Sequence, residues 1–390
     1  MTVSTDGVAI GLLRSMLACR SVTPEADGVM DLLASTLIGL GFSVERLAFS
    51  GGGSYPVDNL FASIGSGAPH LLFAGHTDVV PPGDPAAWSH DPFGAVETEG
   101  RLFGRGAVDM KSGIAAFVGA VARAHAEGRL RGTISLMITN DEEADAVNGT
   151  KRLVEWAVDK GLAFDFALVG EPSSVARLGD AIKIGRRGSL SGRVTVTGIQ
   201  GHVAYPERAR NPLPVLAAIA TALTKDPLDT GTERFQPSNL EIVSIDTGNR
   251  VTNVIPESGT LVFNVRHNDL WTAETLTGWI EERIGSVDAQ SCTIRHERIG
   301  NVSRCFHSPE SGAVALLSDV IAAHTGSRPA LSTGGGTSDA RFIAPICPVV
   351  ECGLVGTTMH KVDENVPIAE VLTLEAIYAD FIAAFGATAS

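Results

Sequence analysis

The stretch GTISLMITNDEEADA, residues 132–146, joins an apolar run of strand-forming residues to three consecutive acids. The run TISLMIT is rich in β-branched residues, which favours a strand buried on both faces. Carboxylates this close together repel each other and are rarely buried unless something pairs with them. Asp141, Glu142 and Glu143 therefore belong either to an exposed loop or to a cation site, and the rest of the chain has to decide.

Composition narrows the class of protein. At 390 residues the chain exceeds the size at which a single core stops growing, so two domains are expected. A net charge of −14 argues against a nucleic-acid partner, because phosphates need a basic surface. Five cysteines without a CxxC pair favour a reducing, cytoplasmic location. The absence of a signal-peptide pattern, or of an apolar stretch of about 20 residues, argues against a membrane partner.

The order of predicted elements divides the chain. Strands and helices alternate in the first part, which predicts an α/β domain with a mostly parallel central sheet. Residues 187–302 instead follow the order β-α-β-β-α-β, which is that of a ferredoxin-like α+β unit. A helix and an apolar strand then follow. We therefore predict one α/β domain, residues 1–186 and 303–390, interrupted by an inserted domain of residues 187–302.

The predicted strand ends carry imidazoles and carboxylates, and in open α/β sheets ligands bind beyond those ends. Each such residue alone has an ordinary explanation, such as a hydrogen-bonded histidine. Buried together without a cation they would destabilise the fold strongly, because unpaired charges are costly in a low dielectric. A divalent metal removes this objection, and mixed nitrogen and oxygen ligands suit zinc, cobalt or manganese. The residues are His76, Asp78, Asp109, Glu142, Glu143, Glu171 and His360.

Spacing suggests roles within this set. His76 and Asp78 are two residues apart, so on an extended segment they point the same way, and Asp78 can accept a hydrogen bond from the imidazole. Glu142 and Glu143 are adjacent and therefore diverge. One of them can face a metal while the other faces a substrate.

Other motifs are weaker. GRGAVD, residues 104–109, is close to a dinucleotide fingerprint, but Asp109 replaces the third glycine and would put a carboxylate where a pyrophosphate binds. The sequence contains no GxSxG, Walker A or HExxH motif, which argues against the corresponding enzyme classes. The glycine-rich segment 51–54 is predicted to be a flexible loop without a chemical role.

Ten blocks of the sequence carry a family resemblance. They are HTDVVPPGD (76–84), GRGAVDMKSG (104–113), DEEADAVNGT (141–150), GEPS (170–173), GRRGS (185–189), GHVAYP (201–206), TNVIP (252–256), FNVR (263–266), GGTSDARF (335–342) and MHKVDENVP (359–367). Together they resemble the co-catalytic zinc amidohydrolases of the aminoacylase and carboxypeptidase type, in order and over nearly the whole chain. The resemblance implies a zinc-peptidase-like catalytic domain and makes the inserted domain the dimerisation domain of a homodimer.

The resemblance also implies a metal centre. Asp109 would bridge two zinc ions per subunit, with cobalt as a possible substitute. His76 and Glu171 would complete one site, and Glu143 and His360 the other. The family holds the peptide bond after the bridging aspartate in cis, so a cis bond is expected after Asp109.

Further catalytic roles follow from the same resemblance. Glu142 would be the general base, and Asp78 the hydrogen-bonding partner of His76. His202, in the inserted domain, would reach across a dimer interface to stabilise the oxyanion. From the residues alone, His202 is equally well a structural histidine.

The blocks HTDVVPPGD, GHVAYP and GGTSDARF are similar to those of members that hydrolyse N-succinyl-LL-2,6-diaminopimelate to succinate and LL-2,6-diaminopimelate, in lysine and diaminopimelate biosynthesis. This implies a small dicarboxylate amide as substrate. Arginine forks and glycine-rich turns bind carboxylates, although Arg186 leaves the assignment within its arginine pair open. The candidate substrate-binding residues are Arg187, Ser189, Asn253, Arg266, Gly335, Gly336 and Thr337.

Two alternatives stay open. Ala144 and Cys352 stand where the family pattern has glycine and an aromatic residue, which leaves the preferred acyl amine uncertain. An N-acetylornithine deacetylase or a broad aminoacylase would share the metal site and differ in the arginines that read the acyl group. A non-catalytic metal-dependent binding protein is an alternative of another class, although a binder has no use for a general base.

Overall fold

A computed structural model describes residues 7–389. Its helices are Gly7–Ala18 (α1), Val29–Gly39 (α2), Ser112–Ala126 (α3), Thr150–Asp159 (α4), Leu213–Thr224 (α5), Ala273–Gly285 (α6), Gly312–Thr325 (α7), Ala340–Ile343 (α8) and Ile368–Gly386 (α9). Single turns of 3-10 helix lie at Pro85–Ala87, Pro206–Arg208 and Ala387–Ala389, and an irregular helical turn at Ala107–Lys111.

The strands are Ser43–Gly51 (β1), Ser54–Gly65 (β2), His70–His76 (β3), Val96–Thr98 (β4), Arg101–Phe103 (β5), Thr133–Thr139 (β6), Phe166–Val169 (β7), Ala181–Lys183 (β8), Gly185–Arg186 (β9), Gly188–Thr197 (β10), Gly201–His202 (β11), Asn239–Asp246 (β12), Val254–Ile255 (β13), Ser258–His267 (β14), Thr293–Ser303 (β15), Phe306–His307 (β16), Ala330–Ser332 (β17), Val349–Glu351 (β18) and Asn365–Pro367 (β19). The described chain forms two compact units. The first contains residues 7–184, 307–332 and 338–389, and the second contains residues 185–306 and 333–337.

The first unit is built on an eight-stranded sheet with the order β1-β2-β6-β3-β7-β18-β8-β17. Its central strands β6, β3, β7 and β18 are parallel neighbours, and β8 and β17 are also parallel. The pairs β1–β2, β2–β6 and β18–β8 are antiparallel. The predicted α/β fold with a mostly parallel central sheet is therefore confirmed.

Helix α3 lies close to this sheet because its first turn has no side chain at Gly113. A Cβ atom at Gly113 would lie 2.2 Å from the carbonyl oxygen of Gly170, just after β7. Only glycine permits this approach of helix and strand end. The contact places the turn before α3, which contains Asp109, next to the segment that contains Glu171.

The second unit has the element order β10-α5-β12-β14-α6-β15, as predicted for the β-α-β-β-α-β segment. Its four strands form an antiparallel sheet with the order β12-β14-β10-β15. Inward residues such as Leu190, Val194 and Phe263 form a core with residues of α5 and α6. This unit starts and ends a few residues outside 187–302, and it includes 333–337, which the sequence analysis assigned to the other domain. Its role in dimerisation stays a prediction.

Two further properties concern the chain's surroundings. None of the helices between residues 7 and 389 combines the length and the apolar character needed to cross a membrane. The five cysteines are free thiols, and Cys292, Cys347 and Cys352 are buried. Burial of Cys347 and Cys352 beside β18 fits the small apolar role that unpaired cysteines often take.

Candidate metal centre

Strand order explains which residues meet at the carboxyl edge of the first unit's sheet. Strand β3 lies between β6 and β7 and ends at His76, whose register partner on β6 is Thr139. Three residues beyond Thr139 the chain reaches Glu142, and two residues beyond the end of β7 it reaches Glu171. Because parallel strands end at the same edge, His76 has carboxylates on both sides.

One cluster forms around His76. Its Nε2 atom lies 3.2 Å from Oδ1 of Asp109 and 3.5 Å from Oε1 of Glu171. All three side chains are buried, and their ligand atoms lie within 4.8 Å of one another. This is the spacing of side chains that share one cation.

A second cluster shares Asp109 with the first. The Nε2 atom of His360 lies 3.1 Å from Oδ2 of Asp109 and 2.9 Å from Oε1 of Glu143. The two carboxylate oxygens of Asp109 thus face two different histidines, as a bridging ligand requires. The five predicted ligands are brought together in this way, and their action as ligands stays a prediction.

The donor chemistry fits a pair of divalent metal ions. Each cluster supplies imidazole nitrogen and carboxylate oxygen, without sulfur, which suits zinc and similar metals. His76 also forms a third ligand-like group with Glu142 and Glu143. The geometry alone therefore does not separate Glu142 as a base from Glu142 as a ligand.

Asp78 holds the turn that carries the two glutamates. Its carboxylate accepts hydrogen bonds from the backbone N–H groups of Glu142, at 3.1 Å, and Glu143, at 3.0 Å, and from the hydroxyl of Thr23 at 2.8 Å. The Nδ1 atom of His76 lies 2.9 Å from the carbonyl oxygen of Asp78 but 3.6 Å from its carboxylate. The imidazole contact expected of the carboxylate is thus made by the backbone, and the carboxylate orients the turn that carries Glu142 and Glu143.

A buried ion pair holds the turn that carries Asp109. Nη1 of Arg105 donates to Oε2 of Glu364 at 2.6 Å, and Glu364 is fully buried. The other oxygen of Glu364 accepts from the backbone N–H groups of Val108 at 2.8 Å and Asp109 at 3.2 Å. The peptide bond between Asp109 and Met110 is cis, as expected.

Hydrogen bonds and burial shift the protonation of this acid cluster. Hydrogen bonds to Asp109 and Glu143 raise the pKa of His360 to about 10. Burial, reinforced by the charge of Asp109, raises the pKa of Glu171 to about 8. Burial also raises the pKa of Glu142 well above its ordinary value. The metal-free cluster therefore binds protons near neutral pH, and a metal must displace them.

In the second unit, the predicted substrate-binding residues Arg187, Ser189 and Arg266 lie together, next to Asn239. Arg266 on β14 is the register partner of Ser189 on β10 and of Asn239 on β12, so the three form one row across the sheet. Arg187 reaches this row, because its Nη1 atom donates to Oδ1 of Asn239 at 2.9 Å and to the carbonyl of Pro237 at 3.1 Å.

The arginines differ in how far their donors are used. Nη1 of Arg266 is buried and has no hydrogen-bond partner among the described residues. Burial and the charge of Arg187 lower the pKa of Arg266. Arg186 is buried and donates to the carbonyl of Gly334 at 3.3 Å, and a Cβ at Gly335 would lie 2.2 Å from its Nη1 atom. Arg186 thus supports the glycine-rich segment.

The remaining predicted residues lie elsewhere in the second unit. His202 on β11 pairs with Val254 on β13, directly after Asn253, whose carbonyl accepts from the backbone of Val203 at 3.1 Å. His202 is exposed, and its Nδ1 atom accepts the backbone N–H of Ala204 at 3.1 Å. Gly335, Gly336 and Thr337 form the segment beside Arg186.

Sequence reasoning missed the residues that hold the metal-binding loops. Arg105 and Glu364 lie inside two of the motif blocks, but they are 259 positions apart, and no spacing rule connects them. The sequence alone does not distinguish Asp141 from the two acids that follow it. The fully buried carboxylate of Asp141 instead accepts hydrogen bonds from its own loop. The signal for such a role is an acid next to functional acids, which does not by itself identify the partner.

Fold and site together define a class, namely α/β proteins with paired metal-ligand clusters at the carboxyl edge of a mostly parallel sheet. Comparison with known families narrows the class. The chain belongs to peptidase family M20/M25/M40, whose family model matches residues 72–384.

Individual proteins agree with this family. The chain is 52% identical over 372 residues to a protein named succinyl-diaminopimelate desuccinylase from Rhodopseudomonas palustris (strain BisA53), covering 95% of this chain and 96% of that one. A protein of the same name from Methylorubrum populi is 51% identical over 377 residues, which is 96% of this chain and 97% of its own. An M20 family metallo-carboxypeptidase from Sulfolobus solfataricus has a TM-score of 0.79 at 17% identity, covering 97% and 99% of the two chains. The resemblance inferred from the sequence blocks is confirmed.

Proposed function

We propose that this protein is a two-metal amide hydrolase that converts N-succinyl-LL-2,6-diaminopimelate and water to succinate and LL-2,6-diaminopimelate. The observation that carries the proposal is the carboxylate of Asp109, with one oxygen facing His76 and the other facing His360. The substrate is proposed from relatives of that name at half identity over nearly the full length. The reaction belongs to lysine and diaminopimelate biosynthesis.

The proposed cofactors are two zinc ions per subunit, which cobalt can replace. A bound metal pair polarises the amide carbonyl and supplies hydroxide at neutral pH. His76, Asp109 and Glu171 would hold one ion, and Asp109, Glu143 and His360 the other.

Glu142 acts as the proton carrier. Its carboxylate takes a proton from the attacking water and delivers it to the leaving nitrogen as the amide bond breaks, so the products are a carboxylate and an amine. Burial raises the pKa of Glu142, which suits a group that must both accept and release a proton near neutral pH. Asp78 keeps Glu142 in place by accepting a hydrogen bond from the backbone N–H group of Glu142.

The carboxylates of the substrate are bound in the second unit. The unpartnered Nη1 of Arg266 and the adjacent Arg187 make this part of the unit positive, and Ser189 lies in the same row. An arginine fork binds a carboxylate through two parallel hydrogen bonds. Asn253 and the backbone of Gly335, Gly336 and Thr337 complete the proposed set and would bind the substrate's second end.

The proposal includes a homodimer formed through the second unit. Strand β12 is an edge strand, and its Val243 and Ile245 side chains are 62% and 57% exposed. An exposed apolar edge strand favours pairing with another chain. His202, also exposed, would serve the partner subunit by stabilising the oxyanion. A cytoplasmic location is proposed because the cysteines are free thiols.

The dimer proposal has its own test. Val243→Asp would place a charge on the edge of β12 and is expected to give monomers with strongly reduced turnover. Light scattering and steady-state rates on the same sample check this. Monomers with full turnover would contradict the role of His202 across the interface.

The decisive experiment measures amine release from N-succinyl-LL-2,6-diaminopimelate and from N-acetyl-L-ornithine. The enzyme is stripped with a chelator and then titrated with zinc. Zinc-restored hydrolysis of the succinyl substrate alone supports the proposal. Restored turnover of the acetyl substrate instead would keep the metal site and overturn the specificity. Two bound metals without turnover of either substrate would favour a binding protein.

A further inference from the structure

The acidic loop, defined here as residues 141–149, carries Glu142 and Glu143 but contains no regular helix or strand. Catalysis by positioned groups is sensitive to small displacements, and an error of about 1 Å can lower a rate about 100-fold. Something must therefore hold this loop. Asp78 holds the backbone of the two glutamates, and the remainder of the loop is held from another direction.

Asp141 is the internal anchor of the acidic loop. Its carboxylate accepts hydrogen bonds from the backbone N–H groups of Ala146 at 3.2 Å, Val147 at 2.9 Å and Asn148 at 2.9 Å. These bonds fold the loop back on its first residue. The same carboxylate accepts a fourth hydrogen bond, at 2.5 Å, from the hydroxyl of Tyr55 on β2.

The hairpin turn between β1 and β2 contacts the far end of the acidic loop. Nδ2 of Asn148 donates to the carbonyl oxygens of Gly51, at 3.1 Å, and Tyr55, at 2.8 Å. Gly52 has a φ of 64°, and a Cβ there would lie 2.7 Å from Cγ1 of Val147. The turn therefore lies directly on the loop, where a glycine is required.

A further contact lies at the surface. The hydroxyl of Ser54 donates to Oδ2 of Asp145 at 2.6 Å, with both groups exposed. An exposed hydrogen bond of this kind contributes less than the partly buried bond between Tyr55 and Asp141, because water competes for both partners. The contact between Tyr55 and Asp141 is thus expected to dominate.

We propose that Tyr55 is a positioning residue, which fixes the directions of Glu142 and Glu143 by holding Asp141 against the sheet. This inference rests on the proposed function of the two glutamates. The segment 51–54, for which the sequence indicates no chemical role, then serves as the support of the catalytic loop. In its proposed role, Tyr55 touches neither substrate nor metal.

Tyr55→Phe tests the inference, because it removes the hydroxyl and keeps the ring. We expect kcat to fall about tenfold with KM changed less than about twofold, since a hydrogen bond to a charged group contributes on the order of tenfold or more. The apparent Kd of the zinc ion held by Glu143 is expected to rise about tenfold as well. Asn148→Ala should shift both constants in the same direction and provides a second route if Tyr55→Phe folds poorly.

Tyr378→Phe is the matched control. It also removes a tyrosine hydroxyl, in this case a buried one that donates to the backbone carbonyl of Cys352 in the core. We expect it to lower the melting temperature while kcat and zinc affinity stay at wild-type values. Ser54→Ala should give a smaller version of the effect of Tyr55→Phe.

The outcomes separate the inference from the proposed function. If Tyr55→Phe lowers only the melting temperature, like Tyr378→Phe, then Tyr55 is merely structural and the inference fails while the proposed function stands. A wild type that binds zinc without hydrolysing the substrate contradicts the proposed function, and the zinc affinities still test Tyr55. A wild type that binds no zinc would overturn both.

Discussion

The candidate metal centre of the first unit and the candidate substrate residues of the second unit are organised in opposite ways. In the metal centre, the Nε2 atoms of the two histidines lie within 3.5 Å of the carboxylates of the candidate ligands Asp109, Glu143 and Glu171. In the second unit, Arg187 and His202 instead contact backbone atoms or an amide side chain, and Arg266 keeps a buried donor unpaired. The candidate ligands of the first unit therefore contact one another, whereas the candidate substrate residues of the second unit offer separate polar groups.

Charge explains the difference. The metal centre gathers carboxylates that repel one another, so it needs rigid loops and cations to exist. The second unit offers cationic arginines on the face of an antiparallel sheet, where we propose that a carboxylate ligand supplies the missing partner. Rigidity is thus concentrated where like charges are concentrated, and variants in the two units should fail in different ways.

The largest effect is expected for Glu142→Gln, which keeps the shape of the side chain and removes the proton acceptor. Turnover should fall about 10²–10⁴-fold, the usual contribution of a general base, while zinc affinity stays within about threefold of wild type. Steady-state rates and zinc titration on the same preparation check this. Glu143→Gln is the control, since it should weaken zinc binding directly. Loss of zinc binding in Glu142→Gln would instead make Glu142 a ligand, in keeping with the ligand-like group that it forms with His76 and Glu143.

The next largest effect concerns the support of the metal centre. Glu364→Gln leaves the buried Arg105 without its counter-charge, and removal of one partner of a buried ion pair costs about 3–5 kcal/mol. We expect the free energy of unfolding of the metal-free protein to fall by about that amount. Denaturant unfolding measures it.

A double variant sharpens this test. Arg105→Met combined with Glu364→Gln removes both charges and should recover part of the lost stability, because no unpaired charge stays buried. Equal stability of the wild type and Glu364→Gln would show that the turn around Asp109 is held by other contacts.

Sequence could reach the metal centre because two simple rules locate it. Parallel strands end at one edge, and buried acids need a cation, so His76, Glu171 and the pair Glu142–Glu143 follow from strand prediction. Arg105 and Glu364 could not be paired, because their contact depends on how two distant loops close over each other. Glu142 and Glu143 were separated only by family resemblance.

In the second unit the pattern predicted the fold but not the use of each residue. The order β-α-β-β-α-β follows from hydrophobic periodicity, and the row of Ser189, Asn239 and Arg266 then follows from strand register. Arg187 keeps an unpartnered Nε atom and Arg266 an unpartnered Nη1 atom within the described residues. The other contacts of Arg187 are made by the backbone carbonyl of Pro237 and the side chain of Asn239, which carry no motif. The segment 333–337 joins this unit although it is distant in sequence. Contacts of this kind have no local sequence signal.

The zinc affinity of the metal centre should depend on pH. In the metal-free protein the pKa of His360 is about 10 and that of Glu171 about 8, against ordinary values of 6.5 and 4.5. Below these pKa values each site must release at least one proton to bind zinc, so the apparent association constant at the His360 site should rise about tenfold per pH unit, or about 100-fold from pH 6 to pH 8. Burial is outweighed by hydrogen bonds to Asp109 and neighbouring carboxylates, which raise the pKa of His76 as well, so the site of His76 and Glu171 should have a steeper dependence below pH 7. Competition with a chromogenic chelator measures this. A constant affinity above pH 7 would mean that neither residue holds its proton.

The smallest effects are expected in the second unit, where they should appear in substrate binding. Arg266→Ala should raise KM for the succinyl substrate about tenfold and change kcat little, because the lost bond to a carboxylate is made equally in ground and transition states. Arg187→Ala should have a weaker effect, since Arg187 already donates to Asn239 and Pro237. Steady-state kinetics should give KM for the N-succinyl and N-acetyl substrates in both variants. If Arg266→Ala raises KM by the same factor for the two substrates, the arginine does not recognise the acyl carboxylate. The preference for succinate would then have to arise in the glycine-rich segment that Arg186 supports.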